Sequence, residues 1–432
     1  MLRACIVCLP AAAVINPALG GGIGGTETRA WLFARTLAKR GDTQVTFIVR
    51  NRTPMDGTVE GVVIRTFVDR VYNLFEQVGL CVVRRSGFPW LRLRRWRTSL
   101  LWQFPAAVAV RLFSPRRNPT QPAPHFQHID CDVFCTFGVQ TVSATVIASA
   151  HAAGKRAVLV LGSDGDLDEK FLTDPDSINP YGDRAAVCRF ILEQADEIVC
   201  QTPDQKRVLK ERFGREGVVI ENPLDLEEFD RLAGKGKAAA ADEMVSDARS
   251  PSGASSARSS RPVLWVGRAD AIHKRPMLAI DIAKQCPAIP FLLVMNPRDP
   301  AEEARVRAAA PANVTIRDRV PPPEMPALME RSLALLNTSS LEGFANTFLQ
   351  AGAARIPVVS VEVGDVYLRQ SRGGEWCAGD LGRGAAILRA WASDDAGRSE
   401  LGANGRAWVE AHHAAAERAA ELRDVLAATQ RA

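Results

Sequence analysis

From Leu333 the chain runs along a short apolar strand to Leu336, through small polar residues, then by Glu342-Gly343 into a helix that carries Gln350. A segment that leaves a buried strand by such a turn and enters a helix is half of a parallel β-α-β unit. Such units fold into α/β sheets with helices packed on the faces. The same order recurs earlier. Val263-Leu-Trp-Val-Gly-Arg268 reads as a buried strand ending in a glycine turn. Lys274-Arg275-Pro276 follows, then an apolar-periodic helix with Leu278, Ile280, Ile282 and Ala283. Near the N-terminus, Cys5 to Leu9 reads as a strand and Gly20 to Gly25 as a glycine-rich loop. A helix from about Thr26 to Lys39 turns Leu32, Phe33, Leu37 and Ala38 inward, and Gln44 to Val49 is the next strand.

The chemistry of these junctions is specific. A helix N-terminus offers unpaired backbone N–H groups and the positive end of its dipole, which suits an anion such as a diphosphate. Glu342 stands beside those donors, where it repels phosphate but accepts hydrogen bonds from hydroxyls. Arg268 and Lys274 are cations at the end of a strand, where fixed positive charge can stabilise an anion. His273 is expected to be structural or solvent-facing, and Arg275 to lie outside the site.

These residues resemble the signature of the retaining glycosyltransferases of the group 1 or family 4 type. The fold that resemblance implies is α/β of GT-B type, two Rossmann-like domains facing each other across a cleft. Glu342-Gly343-Phe344-Ala345-Asn346 is similar to the family's Glu-Gly-Phe-x-Asn, and Gln350 occupies the position of a second acidic residue that usually grips the ribose. An amide there keeps hydrogen bonding but loses the charge that strengthens it. By the same resemblance Arg268 and Lys274 serve the diphosphate, and Glu342 the donor sugar. Gly343, Phe344, Ala345 and Asn346 line the donor site, and Gly24-Gly25 let backbone approach the donor phosphate from the other domain. Many members have a His after a central strand of the first domain. The corresponding turn here is Gly162-Ser163-Asp164-Gly165-Asp166, so Asp164 is the candidate for contacting sugar hydroxyls, with an ordinary turn-forming Asp as the other reading.

Gly20, Gly22 and Gly25 also satisfy the dinucleotide pattern G-x-G-x-x-G. Against NAD, the loop begins some ten residues after the strand, and the next strand ends at Arg50 instead of an acid for the ribose. Arg50 leaves an NADP reading open. Nine scattered cysteines without a Cys-x-x-Cys pair look like reduced buried thiols, and indicate neither a disulfide frame nor a zinc site. Arg3 and the apolar run after it imitate a signal peptide, but Pro10 interrupts the run and it reads as a strand. No stretch approaches the roughly 20 apolar residues of a membrane span.

At 432 residues the chain exceeds what one core holds. The expected division is an acceptor-side domain over 1–232, a flexible low-complexity linker over 233–261, and a nucleotide-sugar domain over 262–432 whose last helix packs back on the first. Asn222-Pro223-Leu224-Asp225 stands at the junction, where Pro stiffens the crossing. One region departs from a bare scaffold. No acidic residue occurs between Glu76 and Asp130, while nine arginines from Arg84 to Arg117 alternate with Phe88, Trp90, Trp96, Trp102, Phe104 and Phe113. Those nine charges exceed the +5 of the whole chain. This composition suits an anionic membrane surface. It also suits an insertion whose arginines lie over the domain's own core, and nucleic acid is the least favoured partner.

The resemblance therefore implies a hexosyltransferase-type enzyme without cofactor or metal. It moves a sugar from a nucleoside diphosphate sugar to a glycan or lipid-linked acceptor, in a bacterial surface glycan or glycolipid pathway. The expected place is the cytoplasm, peripheral on the inner face of the plasma membrane. The alternative is a catalytically weak GT-B protein that binds a membrane or a partner.

Overall fold

The structure is a computed structural model that describes residues 1–19, 24–84, 87–113, 118–179, 182–235, 261–340, 342, 344–364 and 366–428. Gly20, Gly22, Arg85, Arg116, Arg117, Gly343 and most of the expected linker lie outside those residues.

Two largely parallel sheets carry the chain, with one edge strand of the first running antiparallel. The first contains β1 (Leu2–Val7), β2 (Thr43–Arg50), β3 (Gly57–Val59), β4 (Val62–Phe67), β7 (Val133–Phe137), β8 (Arg156–Val160), β9 (Glu197–Cys200) and β10 (Val218–Val219). A small antiparallel hairpin, β5 (Val82–Arg84) and β6 (Leu91–Leu93), stands apart from it. The second sheet contains β11 (Val263–Arg268), β12 (Phe291–Asn296), β13 (Val314–Arg317), β14 (Ala334–Asn337), β15 (Val358–Ser360) and β16 (Gly374–Trp376). Around them lie α1 (Gly25–Lys39), α2 (Arg70–Cys81), α3 (Leu100–Phe113), α4 (Pro276–Gln285), α5 (Asn346–Ala353), α6 (Asp395–His412) and α7 (Ala415–Ala427), among other helices.

The sheet orders are β10-β9-β8-β7-β1-β2-β4-β3 and β13-β12-β11-β14-β15-β16. Each contains the doubly wound order, in which the first strand of the unit sits centrally and the chain then builds outward on both sides. The order reverses between β1 and β7 in one sheet and between β11 and β14 in the other. Loops leaving the C-terminal ends of those strands part there and open a crevice, so the topology locates a site before any side chain is considered. This is the GT-B arrangement that the motifs imply.

Alternation along β1 shows how the sheet is buried on both faces. Cys5 and Val7 join a core with the helices Thr141–Ala152 and Ala185–Gln194. Ala4 and Ile6 join another with Ala30, Phe33, Ala34 and Leu37 of α1. That second core also takes Ala419, Leu422 and Leu426 from α7, so the chain's last long helix rests on the first sheet. Its predecessor α6 packs on α5, and their approach is close. A Cβ on Gly402 would lie 2.1 Å from the Arg355 carbonyl oxygen, which only glycine avoids.

All nine cysteines are free and buried. The strand expected from Cys5 to Leu9 instead spans Leu2–Val7, because Leu9-Pro-Ala11 turns into a 3₁₀ helix that its proline can start but not continue as a strand. Arg50, the residue that kept an NADP reading open, has its guanidinium 3.4 Å above the Tyr72 ring, so it fastens α2 to the end of β2.

Candidate active site

β14 delivers the chain to the crevice at Asn337, and the turn that follows is bonded to the loop after β11. Thr338 Oγ1 accepts from the Trp265 indole at 2.8 Å and donates to the Lys274 carbonyl at 2.7 Å. Ser340 donates through its N–H to the His273 carbonyl and through Oγ to that of Ile272, both at 2.9 Å. Arg275 sits in the left-handed region (φ 47°), a conformation that costs on the order of 1–2 kcal/mol outside glycine. Its Nε donates to the Thr338 carbonyl at 2.9 Å and its Nη1 to Glu362 Oε1 at 2.7 Å. Arg275, expected outside the site, braces the turn after β14 through these bonds. Asp270 ties the near end. Burial would raise its carboxyl, but N–H bonds from His273 and Ile272 at 2.9 Å prevail and hold it below the usual range.

Within that frame Lys274 Nζ donates to Glu342 Oε1, which also accepts from Ser339 Oγ at 2.7 Å. Phosphate and hydroxyl functions expected separately thus meet in one ion pair. The side chains remain 25% and 17% exposed. A pair open to water to this extent contributes roughly 1 kcal/mol or less, so an arriving diphosphate can compete for the ammonium. Arg268, the last residue of β11, is exposed at the end of its strand, and His273 is exposed as expected.

α5 begins at Asn346 behind Ala345, whose alanine side chain makes no cap bond, and the Phe348 N–H donates to the Ala345 carbonyl at 2.8 Å. Phe344 corrects an expectation. Its ring is turned into the core, stacked with Trp408 at 6.4 Å and 5.2 Å from His413, and only 8% of it is exposed. It anchors the turn from beneath, and any ligand contact there is left to its backbone. Gln350 lies one turn after Asn346 on the same side of α5 and is half-buried.

The opposite bank comes from the first sheet. Gly24 caps α1 and Gly25 opens it. A Cβ on Gly25 would stand 2.7 Å from Asn346 Nδ2, so glycine is what lets α1 begin against the start of α5. Asn222 joins the same meeting point. Its Nδ2 donates to Asn346 Oδ1 at 2.9 Å, and its Oδ1 accepts from Arg29 Nη1 at 2.8 Å. Its carbonyl accepts from His413 Nδ1 at 2.6 Å. His413 is fully buried, and burial pulls its pKa down to about 3, so the ring is neutral.

Arg29 lies on the inward face of α1 and also donates to the Leu161 carbonyl. Burial lowers its guanidinium to about 10, against the opposing charge of Asp166. Asp166 in turn is pushed up to about 6 by burial, despite a 2.6 Å bond from the Gly162 N–H. Asp164 opens the turn after β8 and accepts from Gln205 Nε2 at 2.9 Å. Burial raises its carboxyl, and the negative charges of Asp204 and Glu342 add to the rise. Asp164 and Glu342 therefore feel each other across the crevice.

The sequence argument missed Arg29, the scaffolding role of Asn222, and Arg275. For Arg29 a signal existed, since an arginine one turn before Phe33 breaks an otherwise apolar face. Among the described residues no group of three or more His, Cys, Asp and Glu could hold a metal ion.

Residues 278–424 match a protein family described as glycosyl transferase-like. No curated protein sequence matches the chain. Among solved structures, the sucrose-phosphate synthase of Thermosynechococcus elongatus is similar at 16% identity and a TM-score of 0.66, with 98% of each chain covered. HepE of Anabaena, solved with UDP and glucose, is similar at 12% identity and 0.64, with 99% of each covered. The α,α-trehalose-phosphate synthase (UDP-forming) of Burkholderia vietnamiensis follows at 14% identity and 0.62, with 98% of each covered. The chain is thus a GT-B protein with a glycosyl transferase-like C-terminal region.

Proposed function

We propose that this chain, a glycosyltransferase of GT-B fold, moves a sugar from a nucleoside diphosphate sugar to an acceptor hydroxyl, with retention of anomeric configuration and without a metal ion. The observation that carries the reading is the Lys274–Glu342 pair beside the start of α5. A cation, a helix N-terminus and a hydroxyl-accepting carboxylate stand together at a switch point of the second sheet. Lys274, Arg268 and the helix terminus take the charge of the diphosphate, which is the work a divalent cation would otherwise do. Glu342 and Asp164 hold sugar hydroxyls from opposite banks. In the transfer the bond from the anomeric carbon to the phosphate oxygen breaks as the bond to the acceptor oxygen forms on the same face. The leaving phosphate oxygen takes the acceptor's proton.

HepE of Anabaena has been solved with UDP-glucose, and the Burkholderia enzyme is named as UDP-forming. We therefore take a uridine diphosphate sugar as the first donor to test. The acceptor is a glycan or a lipid-linked glycan of a bacterial surface, met at the inner face of the plasma membrane. Among the described residues no helix is long and apolar enough to cross a membrane. Gln350, standing where a carboxylate would grip ribose more strongly, favours one second reading, a GT-B subunit with weak catalysis.

Calorimetry with UDP, GDP, ADP and NADP against wild type and Lys274→Ala tests the proposal. One nucleoside diphosphate should bind, and the variant should bind it roughly 30-fold more weakly, since a lost charged contact that also strands Glu342 costs about 2 kcal/mol. Binding of NADP alone would overturn it, and donor binding without turnover would select the weak-catalysis reading.

A further inference from the structure

From Arg70 to Phe113 the chain leaves the first sheet as α2, the β5–β6 hairpin and α3, and this excursion is poorly covered. Of α2 only Cys81 is buried, and of α3 only Leu100 and Ala107. The two helices pack on each other, yet Phe88 is 84% exposed, Phe113 83%, Leu101 68%, Trp90 66%, Trp102 63% and Trp96 59%. Single exposed apolar residues are ordinary, but a contiguous run of large ones is a contact surface. Arg92, Arg94, Arg95 and Arg111 are exposed among them, with no acid between Glu76 and Asp130 to neutralise them. The partner must therefore be apolar within and anionic at its rim, and aromatic residues interleaved with arginines fit the boundary of an anionic bilayer. α3 has one charged residue, Arg111, in its 14 positions, and Pro105 inside it. That is the composition of a segment lying in an interface, and its length is too short to cross one.

The attachment of the excursion fixes where this surface stands. α2 follows β4 directly, leaving from the same C-terminal edge of the sheet that carries the Gly24-Gly25 loop. Arg50 above Tyr72 and an Arg52–Glu76 ion pair at 3.0 Å hold it against the end of β2. We infer that the surface of α2, the β5–β6 hairpin and α3 docks on an anionic lipid bilayer and brings the crevice to the membrane plane. The acceptor is then an amphiphile whose hydroxyl rises from that plane, a consequence that rests on the transfer reading above. The docking itself does not.

The test is sedimentation of the full chain with phosphatidylcholine vesicles, with and without phosphatidylglycerol, at low and high salt. Binding should require phosphatidylglycerol and fall with salt. Leu101→Glu/Trp102→Glu and Arg94→Glu/Arg95→Glu should each weaken it about tenfold or more. Urea midpoints of both variants should match wild type, because the altered side chains are exposed. Calorimetric UDP binding, read without vesicles, reports separately on the donor site. Absence of vesicle binding overturns the inference. Binding indifferent to phosphatidylglycerol, or a dimer that Leu101→Glu/Trp102→Glu dissolves, overturns it too.

Discussion

The loops of the second sheet at the crevice and the excursion that leaves the first sheet are built in opposite ways. On the second sheet, the loops after β11 and β14 are cross-bonded through Thr338, Ser340 and Arg275, and a strained Arg275 is held by the bonds it makes. The excursion from α2 to α3 keeps many large apolar side chains in the open and is held to the end of β2 through Tyr72 and Glu76 of α2. A bank that must present fixed charge to a diphosphate gains from rigidity, because preorganised donors need no reorganisation when charge develops. A region that docks on a bilayer, as proposed above, gains from exposed surface instead.

The largest expected effect breaks the comparison if it fails. Gly402→Ala forces a Cβ toward the Arg355 carbonyl at 2.1 Å, in the α5–α6 contact that supports the donor bank. Overpacking of this kind costs roughly 3 kcal/mol. Leu101→Ala in α3 removes an apolar side chain that is 68% exposed and should cost less than about 0.5 kcal/mol. Urea unfolding of the two variants should separate by a factor of several, and equal losses would mean that the two regions are equally packed.

The next effect lies at the seam where both banks meet Asn222. His413 is neutral in the folded protein with a pKa near 3, and ordinary at about 6.5 when unfolded. Below pH 6.5 the unfolded chain takes up a proton that the folded chain refuses, so stability falls as pH falls, from about 6.5 toward about 3. Asp166 works the other way. Its folded pKa is raised to about 6, so the folded chain binds the proton first and gains as pH falls toward the ordinary carboxylate range. The difference between wild type and His413→Gln cancels the Asp166 contribution. Between pH 7 and pH 5 wild type should lose roughly 2 kcal/mol more than the variant. Parallel curves would show that the ring is accessible to protons and that the seam is open.

What could be read beforehand follows the same division. The strands read at Gln44–Val49 and Val263–Arg268 are found as Thr43–Arg50 and Val263–Arg268, because a strand buried on both faces is written in consecutive residues. The Lys274–Glu342 meeting was legible as two motifs, although their fusion into one ion pair was not. The chain Arg29–Asn222–Asn346 was illegible for a plain reason. Its members are 193 and 124 positions apart, and no local period connects them. Phe344 misled because a motif names a residue without saying which way it points, and the Trp408 and His413 beneath it arrive from α6 and its end. The excursion showed its composition in advance, but whether its arginines covered the domain's own core was a question of burial alone.

The smallest expected effect sharpens the contrast within the donor bank itself. Glu342 is held by Lys274 and Ser339, whereas Gln350 is an uncharged residue one turn into α5 where the family resemblance expects a carboxylate for ribose. If it serves that hydroxyl, Gln350→Ala removes one neutral hydrogen bond, about 1 kcal/mol, and weakens UDP binding roughly fivefold. Gln350→Glu restores a charge-assisted bond, roughly twice as strong, and should bind UDP more tightly than wild type by a few-fold. The ribose contact acts in ground and transition states alike, so both changes should move KM and leave kcat nearly in place. A rise in kcat with Gln350→Glu, together with no change in Gln350→Ala, would detach Gln350 from the ribose. It would make the missing carboxylate a brake on turnover, which is what a weakly catalytic subunit would carry.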